Sequence, residues 1–135
     1  MSYAKYKDLP GGEKKENFSA PNQPPENSKI TYIKDFNHKK HLIETHKICV
    51  VYIYADWCQP CKNIAAKYNQ ISNKYALDGV CLIAKENVEV GISPDVRGVP
   101  TFQFFKDGKY LTMDIVGADI LSVEKRLNEL IQSLN

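Results

Sequence analysis

Cysteine is scarce: four residues in a chain of 135 cannot staple a disulfide-built scaffold, which leaves catalysis, metal binding or plain burial as their roles. Charge of one sign is missing as well. Eighteen basic side chains against sixteen acidic ones leave +2, too little to favour a phosphate backbone or an anionic membrane, so neither nucleic acid nor membrane is expected as a partner. Long apolar runs are absent too; the longest, Ile48 to Ala55, falls far short of the roughly 20 residues of a membrane helix. The opening Met1-Ser2-Tyr3-Ala4-Lys5-Tyr6-Lys7-Asp8 carries charges where a secretory signal has its apolar stretch. A reducing, cytoplasmic setting is therefore expected. Abundant Asn, Lys, Ile and Tyr fit an AT-rich genome, and if that genome is a large DNA virus, the virion or host cytoplasm is the alternative. What is present is ordinary for one globular domain: 43% hydrophobic and 25% charged residues.

Four of the seven prolines (Pro10, Pro21, Pro24, Pro25) and two of the seven glycines precede Lys29, among Glu, Lys, Asn and Ser. Such a stretch buries too little to offset its ordering entropy, so residues 1–28 are expected to form a flexible tail and residues 29–135 the folded domain. A docking arm using Tyr3, Tyr6 and Phe18 is the functional alternative for the tail. Beyond it the periods alternate. Ile30–Ile33 predicts a short strand, and Asp35–His46 a helix with Phe36, Leu42 and Ile43 inward. Ile48–Tyr54 is β-branched and aromatic, the signature of a strand buried on both faces. Cys61, Ile64, Ala65, Tyr68, Ile71 and Tyr75 recur at helical spacing. Asp78-Gly79 turns into a strand at Val80–Ala84; Thr101–Phe105, Asp107-Gly108 and Tyr110–Val116 read as a hairpin. Asp119 caps a last helix with Val123, Leu127, Leu130 and Leu134 on one face. The order β-α-β-α-β, then β-β-α, predicts an α/β domain with a central mixed sheet and helices on both faces.

The sharpest feature is Trp57-Cys58-Gln59-Pro60-Cys61-Lys62, lying where a strand ends and a helix begins. Cysteines three apart meet across one helical turn. Cys58, at the helix N-terminus, faces unpaired N–H groups and the positive dipole end, which favour a thiolate; Cys61, a turn further in, lacks that exposure. Cys58 is thus the candidate nucleophile on a disulfide and Cys61 the thiol that resolves the mixed disulfide. Pro60 fits a first helical turn that needs no donor from it. Half of a zinc site is the competing reading. Zinc wants four ligands, whereas Cys49 and Cys81 stand isolated in strand patterns and His38, His41 and His46 keep no paired spacing to the cysteines. No metal and no cofactor is expected. Cys49 and Cys81 begin two strands that should be parallel neighbours; proximity invites a second disulfide, but buried free thiols are the expectation in a reducing compartment.

Tyr54-Ala55-Asp56-Trp57-Cys58-Gln59-Pro60-Cys61-Lys62 resembles the active-site segment of the thioredoxin family. Arg97-Gly98-Val99-Pro100-Thr101-Phe102 resembles its cis-proline segment, Phe105-Lys106-Asp107-Gly108-Lys109 its hairpin, and Val116-Gly117-Ala118 the glycine closing its substrate groove. The resemblance covers roughly Lys29 to Asn135 and implies the thioredoxin fold. It further implies Cys58 and Cys61 as the redox-active catalytic pair, and Trp57, Gln59, Pro60, Gly98, Val99, Pro100 and Gly117 along the substrate groove. Pro100 would be cis, presenting the Val99 backbone to an extended client, with Gly98 and Gly117 keeping the rim low.

Four departures accompany the resemblance. Tyr52 stands where typical members bury an aspartate that manages the proton of the resolving cysteine, so Lys85, the lysine accompanying that aspartate, would lack its partner. Gln59 replaces the glycine of Cys-Gly-Pro-Cys, and Ala66 a helix-kinking proline. Residues 87–98 are too few for a full helix, so that connection should be trimmed to about a single turn. The function implied is thiol–disulfide exchange, most simply reduction of disulfides in client proteins by a monomer recharged by a reductase or small thiol. An oxidase-coupled disulfide carrier or isomerase uses the same residues, and a non-catalytic binding module is the alternative from another class.

Overall fold

The computed structural model describes residues 28–134; of the expected tail, residues 1–27 lie outside the described residues. The elements are β1 (Thr31–Tyr32), α1 (Phe36–Glu44), β2 (Ile48–Tyr54), α2 (Gln59–Tyr75), β3 (Cys81–Asn87), a single 3-10 turn (Val88–Val90), β4 (Thr101–Lys106), β5 (Lys109–Tyr110), β6 (Ile115–Val116) and α3 (Ile120–Gln132). They build one mixed sheet in the order β1-β3-β2-β4-β5, with β6 also pairing with β4. β1, β3 and β2 run parallel, whereas β4 is antiparallel to β2, β5 and β6.

β2 is the centre of the sheet. All seven of its residues are buried, as its continuous run of Val, Ile and aromatic side chains requires. Its alternate residues divide the core. Ile48, Val50, Tyr52 and Tyr54 pack with α2 and α3 through Ile64, Tyr68, Ile71, Val123 and Leu127. Cys49, Val51 and Ile53 face the other way, toward Leu42 and Ile43 of α1 and toward Ile92, Val96 and Val99 of the segment before β4. Asp35 and Asp119 cap α1 and α3 by accepting from the N–H groups of His38 and Ser122.

Several expectations are corrected. Phe36 is 61% exposed, because it is the first residue of α1 and borders an open cavity instead of packed side chains. The same helix instead buries Lys39, whose charge is met inside. Ala65 of α2 is exposed, and Ser72, tied to the Asn69 carbonyl, is buried in its stead. β3 extends past Ala84 to Asn87, carrying Lys85 and Glu86 inward. The hairpin return is not continuous: Asp107 and Gly108 turn with φ of 53° and 81°, but Thr112 adopts φ 50° and lifts the chain off β4 between β5 and β6. Arg126 of α3 holds that detour by donating to the Met113 carbonyl at 2.6 Å.

Candidate active site

The end of β2 delivers Tyr54 and Ala55 into a tight turn in which the Cys58 N–H donates to the Ala55 carbonyl at 3.1 Å. Cys58 is then the N-cap of α2: its backbone is extended, and its Sγ accepts from the Cys61 N–H at 3.1 Å. A sulfur thus takes one of the orphan donors that begin every helix, and an anionic sulfur there gains most. Pro60 lies in the first turn, where its missing N–H costs nothing. Cys58 and Cys61 are joined as a disulfide, their Cα atoms 5.2 Å apart. Each is only 3% exposed, so burial does not separate the two cysteines as expected. In the disulfide form both sulfurs join the core cluster, and what distinguishes Cys58 is its place at the helix start.

Trp57 is 67% exposed and donates through Nε1 to Glu89 in the 3-10 turn after β3 at 3.2 Å. Gln59 and Pro60 are exposed, with Gln59 donating to Asn63 one turn on. The Val99–Pro100 peptide is cis. Thr101 braces this loop by donating to the Gly98 carbonyl at 2.7 Å, and the Gly117 N–H donates to the Pro100 carbonyl at 2.8 Å. Gly117 has φ 110°, a conformation side chains resist, and a Cβ at Gly98 would meet open space. Among the described residues the Val99 N–H and C=O make no hydrogen bond. The loop, Val116 and their neighbours border a cavity of about 290 Å³.

Beneath the disulfide, Tyr52 is almost fully buried and its hydroxyl donates to the Cys61 carbonyl at 3.0 Å. Its ring stacks on Phe102 at 4.9 Å and meets the edge of Tyr68 at 4.8 Å. Burial pushes the phenol well above its ordinary pKa, so it holds its proton across the physiological range. Lys85, across the ladder from Tyr52, is not left alone as expected. Its ammonium lies 4.3 Å from the Tyr54 ring centroid and 5.5 Å from those of Tyr32 and Tyr52. Burial lowers its pKa to about 8, while the nearby Asp56 carboxylate pulls the other way. The tyrosine faces and Asp56 take over the role of partner. No sequence pattern signalled the box, because its walls come from β1 and β2 and its occupant from β3.

Cys49 and Cys81 are free and buried. The register pairs Ile48 with Cys81 and Cys49 with Leu82, so the two thiols project from opposite faces of the sheet and cannot bridge. Burial raises each to about 12.

The Thioredoxin family model matches residues 29–132. A thioredoxin-like protein of Fusarium culmorum is 35% identical over 98 residues, covering 67% of this chain and 81% of that protein. A thioredoxin of Neurospora crassa is 34% identical over 102 residues, covering 70% and 80%. The crystal structure of Malassezia sympodialis thioredoxin superposes with a TM-score of 0.68 at 29% identity, over 77% of this chain and 92% of that one. With the helix-capping disulfide and the cis-proline loop beside it, these likenesses place the chain in the thioredoxin family, as a thiol–disulfide oxidoreductase.

Proposed function

We propose that the protein reduces disulfides in client proteins, with Cys58 as nucleophile and Cys61 as resolving thiol. The observation that carries this reading is Cys58 at the N-cap of α2, its sulfur on a helix N–H and Val99, with its unpaired backbone, packed against the same core cluster. In the reduced protein the Cys58 thiolate attacks one sulfur of the client disulfide; the second client sulfur leaves as a thiolate and takes up a proton. Cys61 loses its proton and attacks Cys58 Sγ, the bond from Cys58 to the client breaks, and the remaining client sulfur leaves with the electron pair. Two electrons pass to the client, and the Cys58–Cys61 disulfide returns. An extended client segment adds to the Val99 backbone in the manner of an extra strand, flanked by Trp57 and the low rim at Gly98 and Gly117. A reductase or small thiol recharges the pair in a reducing compartment.

The test is turnover of a model protein disulfide driven by dithiothreitol. Wild type should accelerate it, Cys58→Ser should abolish the acceleration, and Cys61→Ser should accumulate a mixed disulfide visible on a non-reducing gel. A wild-type rate equal to that of Cys58→Ser would transfer the protein to the binding-module reading. Equilibration with glutathione separates the catalytic alternatives. A potential of about −270 mV belongs to a reductant, and one of about −120 to −180 mV to an oxidant or isomerase.

A further inference from the structure

The segment between β3 and β4 carries Glu89, which receives the indole N–H of Trp57 next to Cys58, and Gly98-Val99-Pro100, whose Val99 packs against the core cluster that contains both cysteines. Beyond the single 3-10 turn it has no regular structure; Gly91 N–H to Val88 and Val96 N–H to Ser93 are its internal backbone bonds, and only its β4 end is anchored, by Gly117 N–H on Pro100 and the Thr101 hydroxyl on Gly98. Its apolar contact with α1 is incomplete, because a cavity of about 360 Å³ opens between Phe36, Ile43, Ile92 and Phe105. On the floor of that cavity lies Lys39, 7% exposed. Its ammonium has three protons and gives all three to different pieces of chain: Glu86 of β3 at 2.6 Å, Ser93 of the segment at 3.0 Å and Gln103 of β4 at 2.9 Å. Glu86 is wholly buried, and its second oxygen has no partner.

A buried ammonium sharing its protons among three acceptors fixes their separation, and of the three acceptors Ser93 alone lies outside a strand. We propose that Lys39, on the face of the sheet opposite the disulfide, is a positioning residue that sets the client-binding segment in place; this rests on the reading above that residues 98–100 receive the client. Glu86 holds Lys39, and Lys39 holds Ser93. The chemistry at sulfur does not pass through this cluster, so its loss appears in client binding rather than in the exchange step.

The experiment uses three variants of the full chain. Ser93→Ala removes only the segment's end of the tether and keeps the ion pair; KM for a protein disulfide should rise about fivefold, the fold-change of one lost hydrogen bond, with kcat within about twofold. Lys39→Met strands a buried carboxylate, so Lys39→Met/Glu86→Leu is made beside it, replacing the whole pair by apolar groups that restore the melting temperature. If Lys39 positions the segment, the double variant keeps the raised KM despite its restored stability. If Lys39 serves only the stability of the core, its KM returns to the wild-type value and the proposal falls. Hydrogen exchange at the amides of residues 91–98 gives a readout free of turnover: protection should fall about fivefold in Ser93→Ala. Unchanged exchange and unchanged KM in that variant overturn the proposal even if the double variant fails to fold. Absence of protein-disulfide turnover in wild type would instead overturn the reductase reading, leaving the exchange measurement to judge Lys39 alone.

Discussion

Lys85→Met measures the cost of holding a cation in the tyrosine box. Lys85 is 8% exposed as a residue, and burial lowers its pKa from 10.5 to about 8. A difference of that size between folded and unfolded chains corresponds to about 3 kcal/mol. Between pH 8 and pH 10.5 the unfolded chain keeps a proton that the folded chain has shed, so stability rises with pH across that window. Below pH 8 both states carry the proton, and the cost is complete and constant. The faces of Tyr32, Tyr52 and Tyr54 favour the cation and trim the amplitude, so about 2–3 kcal/mol is expected. Methionine has similar length and nothing to titrate. Urea unfolding followed by circular dichroism, on oxidised wild type and variant from pH 7 to pH 10.5, gives the difference directly. Ionisation of the other side chains is common to both proteins and cancels. Wild-type stability should gain on the variant by that amount across the range. A difference that stays flat to within about 0.5 kcal/mol would mean that Lys85 is hydrated in the folded state and that the box does not exist in solution.

Three further outcomes follow from the same geometry. Because the Tyr52 phenol keeps its proton, resolution by Cys61 has no local base at position 52 and should be the slower half-reaction at pH 7, accelerating as pH rises; Tyr52→Asp should quicken it. Stopped-flow fluorescence of Trp57 separates the two steps, and a resolution rate flat between about pH 6 and pH 9 would refute the argument. Cys49 and Cys81, raised to about 12, should resist Ellman's reagent until the chain unfolds; the stability their burial confers is complete below pH 9.0 and lost as pH climbs toward 12. Leu127→Ala, at a fully buried position against β2, should cost about 2–5 kcal/mol in urea unfolding without moving the Cys58–Cys61 reduction potential.

How far the molecule was legible in its sequence depended on whether a signal was local. β2 announced itself because seven consecutive side chains had to be buried, and the hairpin because Asp107-Gly108 supplies two positive φ angles. The start of α2 was readable from Cys58 and Pro60, since capping needs only a few neighbouring residues. Lys39 and Glu86 were not. A charge at helical spacing reads as a solvated face, and only the meeting of α1, β3 and β4, distant in sequence, makes a buried pair affordable. The break between β5 and β6 escaped for the same reason: Tyr110–Val116 keeps a strand-like composition, and the guanidinium that diverts it comes from α3.

The register of β2 against β3 also fixes how much charge the molecule can store. Cys81 lies opposite Ile48, six residues or about 20 Å along the strand from the Tyr54 end of β2, the end from which the chain runs on to the disulfide. Cys49 is on the other side of the sheet. Neither thiol can receive a sulfur–sulfur bond handed on from Cys58 or Cys61, so the described domain has no internal relay and no reserve. It works as a single-bit carrier: two electrons in, two electrons out, with the next cycle waiting on an outside donor. A reductive titration of these four cysteines should therefore end at one two-electron step per molecule, however long the reductant is left in excess.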